Sequence, residues 1–290
     1  MSASAFPNIR ALRLAYDEGR VLDGSSFRKV PSASQASVAN WWVDLSMMTG
    51  NPLPNYYVGA PLTATILDPL RGLHHGADKA PASKYLTELC LISPSAAFVG
   101  LFRILDYVLF YAFVDLDDLD AQAMDNTVTL PRYTDGDGLQ AMLVATTPTV
   151  GGGTFTFDYV NQDGVTRTAP VQSCSTAIAN IGSIVTSEPA TSAGGRSFLL
   201  LASGDTGIRQ LTSWTNIVSN GGLAAVVLVK PITEPIPLLE VNVPVERCYP
   251  QGSPMLPLIP DGAYLNWIVR CGASVASSTV SGCLEFVWSA

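Results

Sequence analysis

Residues Leu130 to Gly164, LPRYTDGDGLQAMLVATTPTVGGGTFTFDYVNQDG, decide the fold class, because short β-patterned runs alternate there with Asp/Gly and Gly-only turns. Leu139, Ala141, Leu143 and Ala145 fall on one side of a period-two run. Phe155, Phe157 and Tyr159 do the same in the next, opposite Thr154, Thr156 and Asp158. Each run is expected to have one dry face and one wetter face. Residues 134–138, 151–153 and 161–164 accept positive φ or cap their own backbone, and so reverse the chain. The stretch predicts a β-meander within an antiparallel β-sandwich, with Phe155, Phe157 and Tyr159 facing its core.

The whole chain is compatible with that reading. Its 290 residues, 48% of them hydrophobic, suffice for one large sandwich or two domains. Charged residues make up only 14%, and 16 basic against 24 acidic residues give a net charge of −8. That balance argues against binding a phosphate backbone, so nucleic acid is not an expected partner. A positive mean hydropathy with so few charges suits a chain that buries surface against neighbours. Five cysteines, without CxxC spacing or an N-terminal signal pattern, fit buried thiols in a protein made in a reducing cytoplasm. Cys271 and Cys283 flank an expected hairpin and are the pair to examine first.

Two regions are expected: an irregular, partly helical N-terminal region over 1–126 and a β-sandwich over 127–290. The first 35 residues, with Arg10, Arg13, Arg20, Arg28 and Lys29, read as a basic arm, either frayed or crossing to a neighbouring subunit. Ser37 is positioned to cap an amphipathic helix through Val38, Trp41, Trp42, Leu45 and Met48, with the Trp pair in the core. Five prolines between 51 and 83 predict an irregular connection. The apolar run from Ala96 to Val114 is not read as a membrane span, since Arg103 and Asp106 near its middle would each cost about 2.5 to 3.5 kcal/mol there. Its periodicity suits a buried helix or paired strands equally. Residues 170–196 read as a loop or a short helix around Ala177 to Ile184. Phe198 to Ala202, Gly207 to Val218 and Leu223 to Val229 read as strands, the last buried on both faces. Prolines from 231 to 260 confine Leu238 to Val245 to an edge or a subunit-crossing segment. A final strand through Leu284, Phe286 and Trp288 is expected to be structural.

The motifs of chemistry are missing. There is no GxSxG, Walker A loop, Rossmann fingerprint or HExxH, and the only histidines, His74 and His75, have no nearby cluster to complete a metal site. Asp115, Asp117, Asp118, Asp120 and Asp125 raise calcium, but the segment lacks the EF-hand's central Gly and final Glu and reads as a solvated acidic turn. No catalytic, cofactor-binding or metal-ligating residue is therefore named, and no enzyme activity or cofactor is expected.

The block from Asp106 to Gly164, beginning DYVLFYAFVDLDDLDAQAMDN, resembles a family of tailed-bacteriophage virion proteins. The closing LPLIPDGAYLNWIV and SGCLEFVWSA resemble that family's C-terminal strands. The resemblance implies a jelly-roll-like or related β-fold in a symmetric particle. It also implies a role as capsid decoration or cement protein on the virion surface, with the major capsid protein and its own copies, as a homotrimer, for partners and no membrane. A tail, baseplate or head-to-tail component is the alternative within the virion. Outside it, the alternative is a carbohydrate-binding β-sandwich using Trp214, Trp267 or Tyr249 as stacking platforms.

Overall fold

The apolar run from Ala96 onward forms one 16-residue strand, Gly100–Asp115, and the sheets are built around it. The computed structural model describes residue 6, residues 8–252 and residues 256–290. In chain order its strands begin with β1 (Val21–Val30), β2 (Trp42–Asp44), β3 (Thr49–Asn51), β4 (Ala64–Ile66), β5 (Lys84–Ile92) and β6 (Gly100–Asp115). They continue with β7 (Gln122–Ala123), β8 (Gln140–Ala145), β9 (Thr154–Asn161), β10 (Thr166–Thr168), β11 (Gln172–Ser173) and β12 (Ile208–Val218). The last are β13 (Leu223–Pro231), β14 (Ile236–Leu238), β15 (Val245–Cys248), β16 (Leu258–Ile259), β17 (Leu265–Arg270) and β18 (Val280–Trp288). Helix α1 (Ile9–Asp17) precedes them, and a four-residue α2 (Tyr249–Gly252) follows β15.

The molecule is mainly β, and the pairings between named strands are antiparallel, as the sequence predicted. A central sheet runs β2-β17-β6-β13-β8, with β4 and β14 also paired to β6. The first half of β6 lies under a sheet ordered β15-β5-β18-β1-β3. There Phe102, Ile104, Trp267 and Val269 meet Phe27, Leu89, Leu284 and Phe286. The second half lies under a smaller sheet ordered β10-β9-β12-β7, where Val108, Tyr111, Val226 and Leu228 meet Phe155, Phe157, Leu211 and Trp214. One strand thus floors two sandwich cores. Register shifts between Ala224 and Val226, and between Leu228 and Val229, mark bulges in the β6–β13 ladder. Phe113, near one of them, takes a φ of 56°. Such an irregularity re-aims side chains and adds twist, and Phe113 is exposed within an otherwise buried run.

The central sheet explains why the run is a strand although its periodicity also fits a helix. β6 has neighbours on both edges and apolar layers on both faces. Its aromatic and β-branched side chains pack there, and its backbone groups find ladder partners. Leu105, Tyr107, Phe110, Val227 and Ile268 form the outer layer with Trp42, Tyr57, Leu67 and Ile184.

Several expectations are corrected by the tertiary arrangement. β8 and β9 do not pair as a meander. β8 belongs to the central sheet and β9 to the smaller one, and they face each other across a shared core. The glycine run at 151–153 therefore crosses between layers. A Cβ on Gly151, whose φ is +104°, would lie 2.5 Å from the Thr176 carbonyl oxygen. β8 also lacks a wet face, because Met142 and Val144 are buried in the outer layer. β9 alternates as predicted, with Phe155, Phe157 and Tyr159 inside. The helix expected after Ser37 is absent. Trp41 and Trp42 point to opposite sides of an extended segment into different cores, and Ser37 Oγ lies 3.2 Å from Cys271 Sγ. Phe198 to Ala202 forms no ladder. The Gln172 side chain stands in for a strand there, accepting from Leu200 N at 2.7 Å and donating to Leu200 O at 3.1 Å.

Residue 126 marks no break in the sheets, since β1, β5 and β6 share ladders with β18, β17 and β13. The basic arm folds back on its own chain. α1 buries Leu12 and Ala15 against Tyr85 and Val287, and β1 lies between β18 and β3. Apart from the two-residue β11, residues 170–196 take the loop form rather than a helix, and β13 is buried on both faces. The 238–245 segment is itself mostly outside the strands and joins two edge strands, β14 and β15, while β18 sits inside its sheet.

Candidate interaction surface

Among the described residues, apolar side chains gather in solvent at one end of the smaller sheet. Leu119 (56% exposed) lies in the loop after β6, Ile217 and Val218 end β12, Val150 (75%) precedes the glycine run, and Ile178 (54%) lies in the following loop. Their backbones are tied together. Asn220 N donates to Leu116 O at 2.9 Å, and Val150 N to Asn220 O at 2.8 Å. Thr149 N donates to Ala179 O at 3.0 Å, and Thr149 Oγ1 accepts from Ala179 N at 3.0 Å. Asn216, at the foot of the tip, donates from Nδ2 to Asp115 O at 2.8 Å and Asp118 O at 2.6 Å. The result is a cross-linked apolar tip.

The acidic segment forms the rim of this tip. Asp117 N donates to Asp115 Oδ1 and Asp120 N to Asp118 Oδ1, each at 2.9 Å, so these carboxylates cap their own turn. Ser219 Oγ donates to Asp117. No group of three or more His, Cys, Asp or Glu side chains converges as metal ligands among the described residues. An apolar surface with carboxylates along one side is suited to docking a partner surface, in which apolar burial supplies affinity and the acidic edge selects against acidic partners.

Sequence reading named the aspartates but not the apolar residues between them. The available signal was single large apolar side chains inside turn segments, such as Leu119 between Asp118 and Asp120. A second exposed apolar stretch, Leu239, Val241 and Val243, links β14 to β15. It lies beside a cleft of about 490 Å³ lined by Ile236, Arg247, Tyr249 and Leu256.

The other sequence candidates are elsewhere and serve the fold. His74 is exposed and His75 buried, so the two rings do not converge. His75 Nε2 lies 2.9 Å from Ala263 O and its Nδ1 2.9 Å from Lys84 Nζ, which occupies both ring nitrogens. Burial and the neighbouring Lys84 push the His75 pKa down. Trp214 and Trp267 are fully buried and Tyr249 is 6% exposed. Trp214 stacks on Phe155 at 4.2 Å, and neither tryptophan offers a face to a sugar, whereas Tyr249 lines the cleft beside β15. All five cysteines are free thiols. Cys271 and Cys174 are buried as expected, whereas Cys283, the other member of the pair to examine first, is exposed on β18 opposite Cys90 and is not bonded to Cys271.

Two buried carboxylates are fully satisfied: Asp44, which sequence reading did not name, and Asp106, which it named only as a charge against a membrane span. Asp44 accepts from Ser46 N at 2.8 Å, Ser46 Oγ at 2.7 Å, Tyr107 OH at 2.7 Å and Tyr57 OH. Burial raises its pKa and these donors oppose the rise. Asp106 accepts from Arg132, Tyr133 OH and Tyr264 N. Neither carboxylate lines the cleft beside Tyr249, and both tie the long connections to the central sheet.

Comparison with protein-family models, with curated proteins and with solved structures gives no match.

Proposed function

We propose that this chain is a structural subunit of a tailed-bacteriophage virion, a decoration or cement protein on the outer capsid that holds neighbouring subunits together. The observation that carries the reading is the cross-linked apolar tip of Leu119, Val150, Ile178, Ile217 and Val218. These side chains lie in solvent on a chain with only 14% charged residues. A rigid, low-charge apolar surface gains free energy by being covered. The virion itself enters through the resemblance of the 106–164 block and of the closing strands. The homotrimer follows by analogy with proteins that occupy three-fold positions of a capsid.

The test has two readouts. Light scattering of purified protein should give a closed oligomer that dissociates in Leu119→Asp and Val150→Asp while circular dichroism stays unchanged. Quantitative mass spectrometry of purified particles should give hundreds of copies. A dozen or fewer copies would move the protein to the tail or the head-to-tail vertex. Its absence from particles would overturn the structural reading.

A further inference from the structure

A second cleft, of about 480 Å³, has the opposite charge from the chain as a whole. Arg103 on β6 and Arg270 on β17 share a face of the central sheet. Their cross-strand partners are Ile268 and Leu101, which makes the two arginines diagonal neighbours. The loop carrying Arg196 closes over them. It is fastened by Trp42 Nε1 donating to Gly195 O at 3.1 Å and by Leu199 N donating to Ala141 O at 2.8 Å. No Asp or Glu lines this cleft.

The three guanidinium groups are largely unspent. Among the described residues Arg103 donates only from Nε, to Thr233 O at 2.7 Å, and stacks over the Phe198 ring at 5.6 Å. Arg270 likewise donates, among the described residues, only from Nε, to Asn40 O at 3.1 Å. Arg196 is exposed and makes no side-chain hydrogen bond or ion pair among the described residues. The four ion pairs found there use Arg13, Arg20, Arg132 and Arg167 instead. Burial pushes the Arg103 pKa down, with Glu234 the one carboxylate that opposes it. Desolvating the Arg103 guanidinium costs free energy that a bound anion returns. The forked donors match a tetrahedral or planar oxyanion.

We propose that this cleft binds a small molecule bearing an oxyanion group, with Arg103, Arg196 and Arg270 holding the anion and Phe198, Leu199 and Leu200 walling the body that carries it. The volume lies within the range of ligand sites, which is larger than a bare ion needs. Trp42 and Gly195 hold the loop in place without ligand, so the site is preorganised.

The experiment is calorimetric titration of the full-length protein in Tris-chloride with inorganic phosphate, pyrophosphate, sulfate and citrate, which separates phosphoryl, sulfuryl and carboxylate ligands. Saturable binding at one site per chain is expected for at least one of them. Arg196→Ala and Arg270→Ala should each weaken it by about tenfold or more, as loss of a charge-assisted hydrogen bond does. Arg13→Ala, on exposed α1, should leave it unchanged. Melting temperatures without ligand should match the wild type for Arg196→Ala, whose side chain holds nothing else in place. Arg103→Lys keeps the charge while losing the fork, and should bind more weakly than wild type. No saturable binding of any of the four anions overturns the proposal, as does binding unchanged in the Arg196→Ala/Arg270→Ala double variant. A wild-type oligomer that falls apart in that double variant also overturns it, by assigning the cleft to another copy of the chain.

Discussion

Replacing Phe157 by Ala tests the layer arrangement at its most sensitive point. The ring is 1% exposed, lies parallel to Trp214 at 5.9 Å and touches the Tyr159 ring at 5.5 Å. Truncating a buried Phe costs about 3 to 5 kcal/mol from lost transfer energy and the cavity left behind. An unfolding entropy of about 2.1 cal/mol/K per residue over 290 residues gives about 0.6 kcal/mol/K, so the melting temperature should fall by roughly 5 to 8 °C. Thr156, one residue away on the other face of β9, is the internal control. Its Oγ1 donates to Ala169 O at 2.8 Å, so Thr156→Ala should cost about 0.5 to 1.5 kcal/mol. Urea unfolding followed by far-ultraviolet circular dichroism measures both without relying on the tryptophan signal that the substitution perturbs. Equal losses in the two variants, or a loss under about 1 kcal/mol in Phe157→Ala, would refute a β9 with one face in the core.

Asp106→Asn should cost about 3 to 5 kcal/mol in the same assay, because it strands the Arg132 guanidinium, which is only 11% exposed. Lys29, fully buried, donates to Met48 O at 3.2 Å and Pro52 O at 2.7 Å, and burial pushes its pKa down to about 8 from the ordinary 10.5. Between those values the unfolded chain holds the extra proton. Raising the pH from about 8 towards 10 should therefore stabilise the wild type relative to Lys29→Met, measured by chemical denaturation. Labelling of native protein with N-ethylmaleimide, read by peptide mass, should modify exposed Cys283 first. Cys174, buried with its pKa pushed up to about 12, and Cys271, 1% exposed, should react only on unfolding.

Local pattern carried the antiparallel β class, and the reason is visible in particular strands. β9 alternates buried and half-buried residues along its length, and β13 is aliphatic because it lies between two neighbours and two layers. Each strand's side-chain period is therefore written in its own residues. What touches what is not written there. β8 and β9 look like a hairpin in one dimension and are opposite walls of a core in three, because an apolar face specifies burial but not the partner that buries it. The Trp41-Trp42 segment matched a helix by spacing, yet its two rings enter different cores. Tertiary packing overrode a short-range period that fits either structure. The three arginines of the basic cleft lie on β6, on β17 and in a loop between β11 and β12, so no window of sequence holds them together. The apolar tip likewise joins four separate segments. Composition alone determined that this chain has apolar surface to spare and little charge. Only the tertiary structure decided where that surface lies and where the scattered positive charge is concentrated, because both are properties of neighbours in space.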